Sequence, residues 1–286
     1  MLRHPMRLVL TFDAFGTLFT PRESIGKSYA NIARRYGLSG FTDDEIASNF
    51  RDAFKKVQSK SPNYGKQVGM GASQWWSNVI HTTFRPFSSS PALPEKLVQD
   101  LLHRFGSSEG YILYSDVIPL FEELCRIRNT SVKDPLSPKL VVGLITNSDD
   151  RVPSVLSSLG LRVNPRRHGP SAQSSNSSQD GEDDIDFVVM SYDVGQEKPS
   201  REIFDAAKHL VYSVTGYEDH GDRFIHVGDD IVKDFNGAKQ AGWGSVLLDR
   251  EENHDKHGTQ ERQTVTSIVD LRDLRSYILP DATPSS

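Results

Sequence analysis

A doubly wound α/β core on a parallel sheet, interrupted by an all-helical insert, is the fold class this sequence predicts, and three observations predict it. Short apolar runs rich in branched residues recur along the chain, stretches with apolar residues at helical spacing lie between them, and a long helical pattern follows directly on the first run.

The first run is RLVLTF, residues 7–12. It is continuously apolar rather than alternating, as expected of a strand covered on both faces in a parallel sheet. Residues 20–115 then read as helix. SIGKSYANIARRYG carries one apolar stripe, and FTDDEIASNFRDAFKKV opens on a capping box, Thr42 to Glu45, and continues with Ile46, Phe50, Phe54 and Val57 on one face. SQWWSNVIHTTF and PEKLVQDLLHRFG follow the same period. An insert placed straight after the first strand overhangs the strand ends, where a lid or cap belongs. The expected division is therefore residues 1–19 plus 116–286 for the α/β core and 20–115 for a helical cap.

Strand and helix alternate through the rest of the chain. KLVVGLIT (139–146), DFVVMS (186–191), RFIHVG (223–228) and SVLLD (245–249) read as further strands. After Thr146, Ser148 or Asp149 can cap a helix that has Pro153 in its first turn and Val152, Val155, Leu156 and Leu159 on its apolar face. PSREIFDAAKHLV places Ile203, Phe204, Ala207 and Val211 at helical spacing, and the segment from Asp234 ends on Gly242, which suits the residue just past a helix. Residues 163–184 are poor in apolar side chains and dense in Ser, Gln, Gly and Asp, the composition of a disordered loop within the core, and Arg166 and Arg167 read there as solvated.

Composition narrows the function. Of 286 residues, 36% are hydrophobic and 25% charged, with a formal net charge of -5, an ordinary soluble profile. Lys and Arg number 33 against 38 Asp and Glu without a long basic run, so the electrostatic footprint of a nucleic-acid binder is missing. No apolar run reaches the roughly 18 to 20 residues of a membrane span. The opening MLRHPMRLVLTF is broken by Asp13 without a cleavage pattern, so no signal peptide is expected. The lone Cys125 reads as a small core residue in a reducing compartment, cytoplasm or nucleus. Oligomeric state is not encoded in any of these patterns.

Polar residues meet turns at the ends of four strands: Asp13 in FDAFGTLF, Thr146 in ITNSDD, Lys198 in QEKPSREIF, and Asp229, Asp230 and Asp234 in HVGDDIVKDFNGA. Each alone reads as a turn or helix cap. Together they describe an apparatus. Ligands of doubly wound sheets bind at the carboxyl ends of the strands. Carboxylates converging there suit a hard cation such as Mg²⁺, a Thr hydroxyl can donate to a phosphate oxygen, and a Lys ammonium can neutralise charge on the transferring group. That is sufficient for an aspartyl-phosphate intermediate.

FDAFGTLF, ITN, the Lys of QEKP and GDDIVKD resemble, in this order, the four motifs of the haloacid dehalogenase (HAD) superfamily of hydrolases. NYGKQVGMGASQWW, ITNSDDRVPSVLSSLGL and SYDVGQEKPSREIFDAA are similar to the branch called HAD-like hydrolase domain-containing proteins. The resemblance implies a Rossmann-like core with a helical cap, Mg²⁺ as cofactor, and a small phosphorylated metabolite as substrate. It implies Asp13 as nucleophile, with Thr146 and Lys198 as its catalytic partners and Thr146, Asn147 and Lys198 on the substrate. Metal ligands would come from Asp13, the backbone carbonyl of Phe15 and Asp229, and Asp234 would orient Lys198 or a metal-bound water. Asp230 lies beside the site as either a supporting or a solvated residue, and Gly16 fits the turn after the nucleophile.

One position departs from the family's phosphatases, which carry a second Asp two residues after the nucleophile, where this chain has Phe15. General acid-base catalysis is worth roughly 10² to 10⁴ in rate, so an alkyl phosphate is expected to be a poor substrate. Three readings follow: a Mg²⁺-dependent phosphohydrolase for substrates with good leaving groups, a HAD scaffold that binds a phosphorylated ligand or a protein partner with little or no turnover, and a metal-independent 2-haloacid dehalogenase, whose halide needs no acid. Trp75, Trp76, Tyr64 and Phe84 read as packing between helices, His226 as a buried, hydrogen-bonded histidine, and ENHDKHGTQER (251–261) as polar surface.

Overall fold

A computed structural model describes residues 6–88, 92–133, 139–169, 183–215, 221–251 and 265–278. The chain divides into two compact units, one of residues 1–19, 113–147 and 162–286 and the other of residues 20–112 and 148–161.

The first unit is built on a six-stranded sheet whose paired strands all run parallel. β1 (Arg7–Phe12) lies between β4 (Lys139–Thr146) and β6 (Arg223–Gly228); β5 (Phe187–Met190) lies outside β4, and β7 (Gly244–Leu248) and β8 (Ser267–Ile268) lie outside β6. Every residue of β1 is buried, the reason its sequence shows no alternation. α5 (Val117–Lys133), α7 (Ser191–Val194), α8 (Arg201–Thr215), α9 (Gly237–Gln240) and α10 (Arg275–Ile278) complete this unit. One core layer joins Val9, Ile145 and Val189 of the sheet to Ile203, Phe204 and Ala207 of α8. At another place Phe12 meets Phe121 of α5, ring centroids 5.8 Å apart.

The second unit is helical: α1 (Ile25–Arg35), α2 (Asp43–Lys60), α3 (Ala72–Phe84), α4 (Glu95–Arg104) and α6 (Val152–Ser158). β2 (Phe19–Pro21) and β3 (Tyr111–Leu113) pair with each other where the chain passes between units. The capping box at Thr42 and Glu45 forms as expected. Trp75 and Phe84 are fully buried in the packing between helices, with Tyr64 and Trp76 against Trp75. No helix among the described residues is long and apolar enough to cross a membrane.

Five details differ from the sequence expectation. Residues 148–161 go with the helical unit, because Asp149 accepts the Trp76 indole N–H at 2.6 Å and Arg151 lies over the Trp76 ring. Asp149 therefore does not cap α6, which starts without a side-chain cap. Residues 163–169, expected to be disordered, lie along β5: Asn164 N–H donates to the Ile185 carbonyl, Val188 N–H donates to the Arg166 carbonyl, and Arg167 is held by both carboxylate oxygens of Asp193. Cys125 is half-buried rather than a core residue. β8 escaped notice because two residues carry no period. Residues 170–182 and 252–264 lie outside the described residues.

Candidate active site

β1 delivers Asp13 at the edge of the sheet, its backbone N–H donating to the Val227 carbonyl of β6 at 2.9 Å. The chain then turns sharply through Gly16, whose φ is +82°. A Cβ there would stand 2.3 Å from Asp229 Oδ2, so both the left-handed backbone and the space demand glycine. Arg250 steadies this turn: its guanidinium bridges both oxygens of buried Asp116, and Nη2 donates to the Thr17 carbonyl at 2.8 Å.

β6 delivers the acidic group. Gly228 leaves room for the Asp234 carboxylate, which a Cβ at that position would meet at 2.2 Å. Between them the chain makes a π-helical turn, Ile231–Asn236, capped by Asp230, whose carboxylate accepts the N–H groups of Val232 and Lys233 at 2.9 Å and pairs with the Lys233 ammonium. Asp230 is thus a helix cap. The turn brings Asp234 back toward its own start, where it accepts the Asp230 N–H at 3.0 Å.

Lys198 links the groups. Its buried ammonium donates to Asp13 Oδ1 at 2.8 Å, Asp234 Oδ1 at 2.6 Å and the Ile145 carbonyl at 2.8 Å, which uses all three of its protons. Asn147 holds the backbone that carries it: Oδ1 accepts the Lys198 N–H at 2.7 Å and Nδ2 donates to the Lys198 carbonyl at 2.9 Å. The Asn147 side-chain amide thus positions the Lys198 backbone. Thr146 is the buried last residue of β4, next in sequence to the carbonyl that accepts Lys198.

Electrostatics follow from this packing. Burial alone would push the Lys198 ammonium down, but Asp13 and Asp234 more than offset it and leave it above its ordinary value. Burial likewise opposes ionisation of Asp234, yet the Lys198 charge and then the His226 hydrogen bond hold its carboxyl well below the usual range. Burial lowers His226, with the Lys198 charge acting the same way, so the imidazole is neutral. A carboxylate only accepts, so the His226 proton sits on Nε2 facing Asp234 at 3.2 Å, and Nδ1 takes the Thr11 hydroxyl at 2.9 Å. Asp229 differs from Asp234. Partial desolvation, then the negative charges of Asp13 and Asp234, push it up to about 6.

One carboxylate oxygen each from Asp13, Asp229 and Asp234 lie within 4.8 Å of one another. Three hard oxygen donors at that spacing, one of them held high in pKa by its neighbours, fit a small divalent cation. Phe15 points its ring outward, 48% exposed, edge-on to Phe19.

Residues 8–242 match the family model of haloacid dehalogenase-like hydrolases. The chain belongs to this family. Among the relatives of this HAD-like hydrolase, an uncharacterized hydrolase of Schizosaccharomyces pombe is 31% identical, covering 88% of this chain and 95% of its own. Haloacid dehalogenase-like hydrolase domain-containing protein 3 of Danio rerio is 28% identical over 90% of both chains. The crystal structure of 2-haloacid dehalogenase from Pseudomonas syringae superposes with a TM-score of 0.59 over 97% of this chain and all of that one; at 17% identity the likeness is one of fold.

Sequence reasoning about this HAD-like hydrolase expected His226 to be buried and hydrogen-bonded, as it is, but missed four supports of the site: its partners Thr11 and Asp234, the Asp230 cap, the Asn147 clamp and the Arg250–Asp116 pair. Only the cap had a local signal, an Asp directly before the turn. The others join residues far apart in the chain.

Proposed function

We propose that this HAD-like hydrolase is a divalent-cation-dependent phosphohydrolase, with Mg²⁺ the fitting ion, acting on a small phosphorylated metabolite that has a good leaving group. The observation that carries the reading is the convergence of Asp13, Asp229 and Asp234 around a single spot beside the Lys198 ammonium. A site working without a metal would leave Asp229 charged against two other carboxylates, a cost visible in its raised pKa. That weighs against the metal-independent dehalogenase.

Asp13 and Asp229 would hold the ion through their carboxylates and Phe15 through its backbone carbonyl, as the family resemblance implies. When bound, the ion neutralises the repulsion between Asp13 and an incoming phosphate dianion. An Asp13 oxygen attacks phosphorus, the bond from phosphorus to the leaving oxygen breaks, and the leaving group departs with the electron pair as an anion. Water then attacks phosphorus of the aspartyl phosphate, releasing inorganic phosphate and restoring Asp13. Lys198 neutralises charge on the transferring group while Asp234 and Asn147 hold it in place, and the Thr146 hydroxyl donates to a nonbridging phosphate oxygen. Phe15 donates no proton, which restricts the reaction to leaving groups stable as anions, such as phenolates and carboxylates.

The purified protein is expected to hydrolyse p-nitrophenyl phosphate with Mg²⁺ and not with a chelator, and Asp13→Asn to abolish the activity. Turnover that survives Asp13→Asn excludes the nucleophile. A second reading, phospho-ligand binding without turnover, is favoured by Phe15. It becomes the better account if aryl and acyl phosphates are all inert while Mg²⁺ with a phosphate analogue still raises Tm.

A further inference from the structure

Asp13, Asp229 and Asp234 are not held alike. The Lys198 ammonium grips Asp13 at 2.8 Å and Asp234 at 2.6 Å, whereas Asp229, the most exposed of them, makes no ion pair among the described residues. Its carboxylate lies instead against the turn that follows β1. The Thr17 hydroxyl donates to Oδ1 at 3.5 Å, and the Gly16 backbone packs so close that a Cβ there would stand 2.3 Å from Oδ2 and 2.9 Å from Oδ1. The same turn carries Phe15, whose backbone carbonyl is a proposed metal ligand, so two proposed ligands of the ion depend on where this turn sits.

The turn is closed on itself and anchored from outside. Leu18 N–H donates to the Ala14 carbonyl at 2.8 Å and Gly16 N–H to the Phe19 carbonyl at 2.9 Å. The Thr17 carbonyl takes no part in this closure, and Arg250 Nη2 donates to it at 2.8 Å. The guanidinium is itself fixed: Nη1 and Nη2 donate to the two oxygens of Asp116, which is 1% exposed, and the group lies 3.9 Å from the Tyr114 ring centroid. Asp116 also accepts the Leu271 N–H at 2.8 Å, and Tyr114 N–H donates to the Leu18 carbonyl at 3.1 Å. A planar fork held by two bonds to one carboxylate keeps its remaining donor aimed in one direction, which an ammonium on a flexible stem does not.

Groups that orient a metal ligand typically carry about 10- to 100-fold of the affinity for the metal, because an unoriented ligand must be ordered when the ion arrives. We infer that Arg250 is a positioning residue for the cation: it fixes the turn at Thr17, and the turn holds the Asp229 carboxylate and the Phe15 carbonyl ready for the ion. That role presupposes an ion on Asp13 and Asp229, as in the proposed phosphohydrolase, and adds to it a support that touches neither ion nor substrate.

Isothermal titration calorimetry of Mg²⁺ into the full-length protein at one fixed pH reads this without turnover. Arg250→Lys keeps a cation beside Asp116 but lacks the fork that spans the Asp116 carboxylate and the Thr17 carbonyl together, and should raise the Mg²⁺ Kd about 10-fold with the circular dichroism unchanged. Thr17→Val removes the hydroxyl from Asp229 and should raise Kd about 5-fold, whereas Thr17→Ser, which keeps the hydroxyl, should stay within about twofold of the wild type. Because both residues act through one turn, Arg250→Lys combined with Thr17→Val should weaken Mg²⁺ by less than the product of the single effects. A pair that only stabilises the fold would lower Tm and leave Kd in place; that result in a folded Arg250→Lys protein overturns the proposal, as do single effects that multiply in full. If Arg250→Lys misfolds, Thr17→Val against Thr17→Ser carries the test, and equal Kd values for the two overturn it. A wild-type protein that takes up no Mg²⁺ sinks the phosphohydrolase reading and the role of Arg250 with it, whereas wild-type binding with an unmoved Kd in Arg250→Lys sinks the role of Arg250 alone.

Discussion

Phe15 sits two residues after Asp13, where an acid would protonate the leaving group, and its ring is 48% exposed, so replacing it removes little packing. Phe15→Asp places a carboxyl two residues after Asp13, on the turn whose Gly16 lies against Asp229. Nearby negative charge disfavours its ionisation, as Asp13 and Asp234 add to the desolvation that first pushes Asp229 up, and a carboxyl that holds its proton is what a general acid requires. The expected outcome is an increase in kcat for an alkyl phosphate of roughly 10- to 100-fold, with little change for p-nitrophenyl phosphate, whose leaving group needs no proton. Steady-state kinetics on both substrates measures the ratio. An equal change on both would mean that Phe15 acts through shape and not through the missing proton. Asp13, Lys198, Asp229 and Asp234 could be read from the sequence because each follows its own apolar run, and the parallel pairing of β4, β1 and β6 brings those runs side by side. Asn147 and His226 could be seen but not understood, since their roles depend on Lys198, 51 residues from Asn147, and on Thr11, 215 residues from His226.

Elements were legible in proportion to the length of their pattern. β1, β4 and β6 match the apolar runs residue for residue, because a strand buried on both faces contrasts with the polar turns at its ends. α2 announced itself by its cap: Thr42 Oγ1 accepts the Glu45 N–H at 3.2 Å, and Glu45 Oε2 accepts the Thr42 N–H at 2.7 Å. Thr42→Ala leaves the Glu45 N–H without its side-chain acceptor at an exposed helix start, so it should cost the protein about 1 kcal/mol, measurable as a lower urea midpoint with an unchanged m value. A change well under that would mean that the packing of Ile46 and Val57, rather than the cap, sets where α2 begins. Where the pattern was short or the partner remote, the reading failed. The segment at 163–169 looks unable to fold by composition, yet β5 offers it a backbone edge and Asp193 receives Arg167, neither of which composition can register.

At the scale of the molecule, the acidic cluster couples stability to pH and to the proposed cation. Asp229 is pushed up to about 6 by partial desolvation and by Asp13 and Asp234. Asp186 is also pushed up to about 6, by burial that outweighs Arg128 at 2.9 Å and the Val142 N–H at 2.7 Å. Both values exceed the unfolded value of about 3.9, so the metal-free native state holds protons that the unfolded chain has released. The stability this gives is fully present below about pH 4 and is lost as pH rises through about 6. A divalent cation reverses the sign for Asp229 alone, because it seats on the ionised carboxylate and must displace the proton below pH 6. The increase in Tm produced by a fixed Mg²⁺ concentration should therefore be small near about pH 5 and larger near about pH 7, with the apparent Kd falling nearly tenfold per pH unit below about 6. Asp186→Asn should flatten the metal-free dependence and leave the Mg²⁺ increment intact, whereas Asp229→Asn should remove the increment. Scanning calorimetry across this range, with and without Mg²⁺, separates the two carboxyls. An increment that is the same at both ends of the range would mean that the ion does not sit on Asp229, and the phosphohydrolase reading would lose the observation on which it rests.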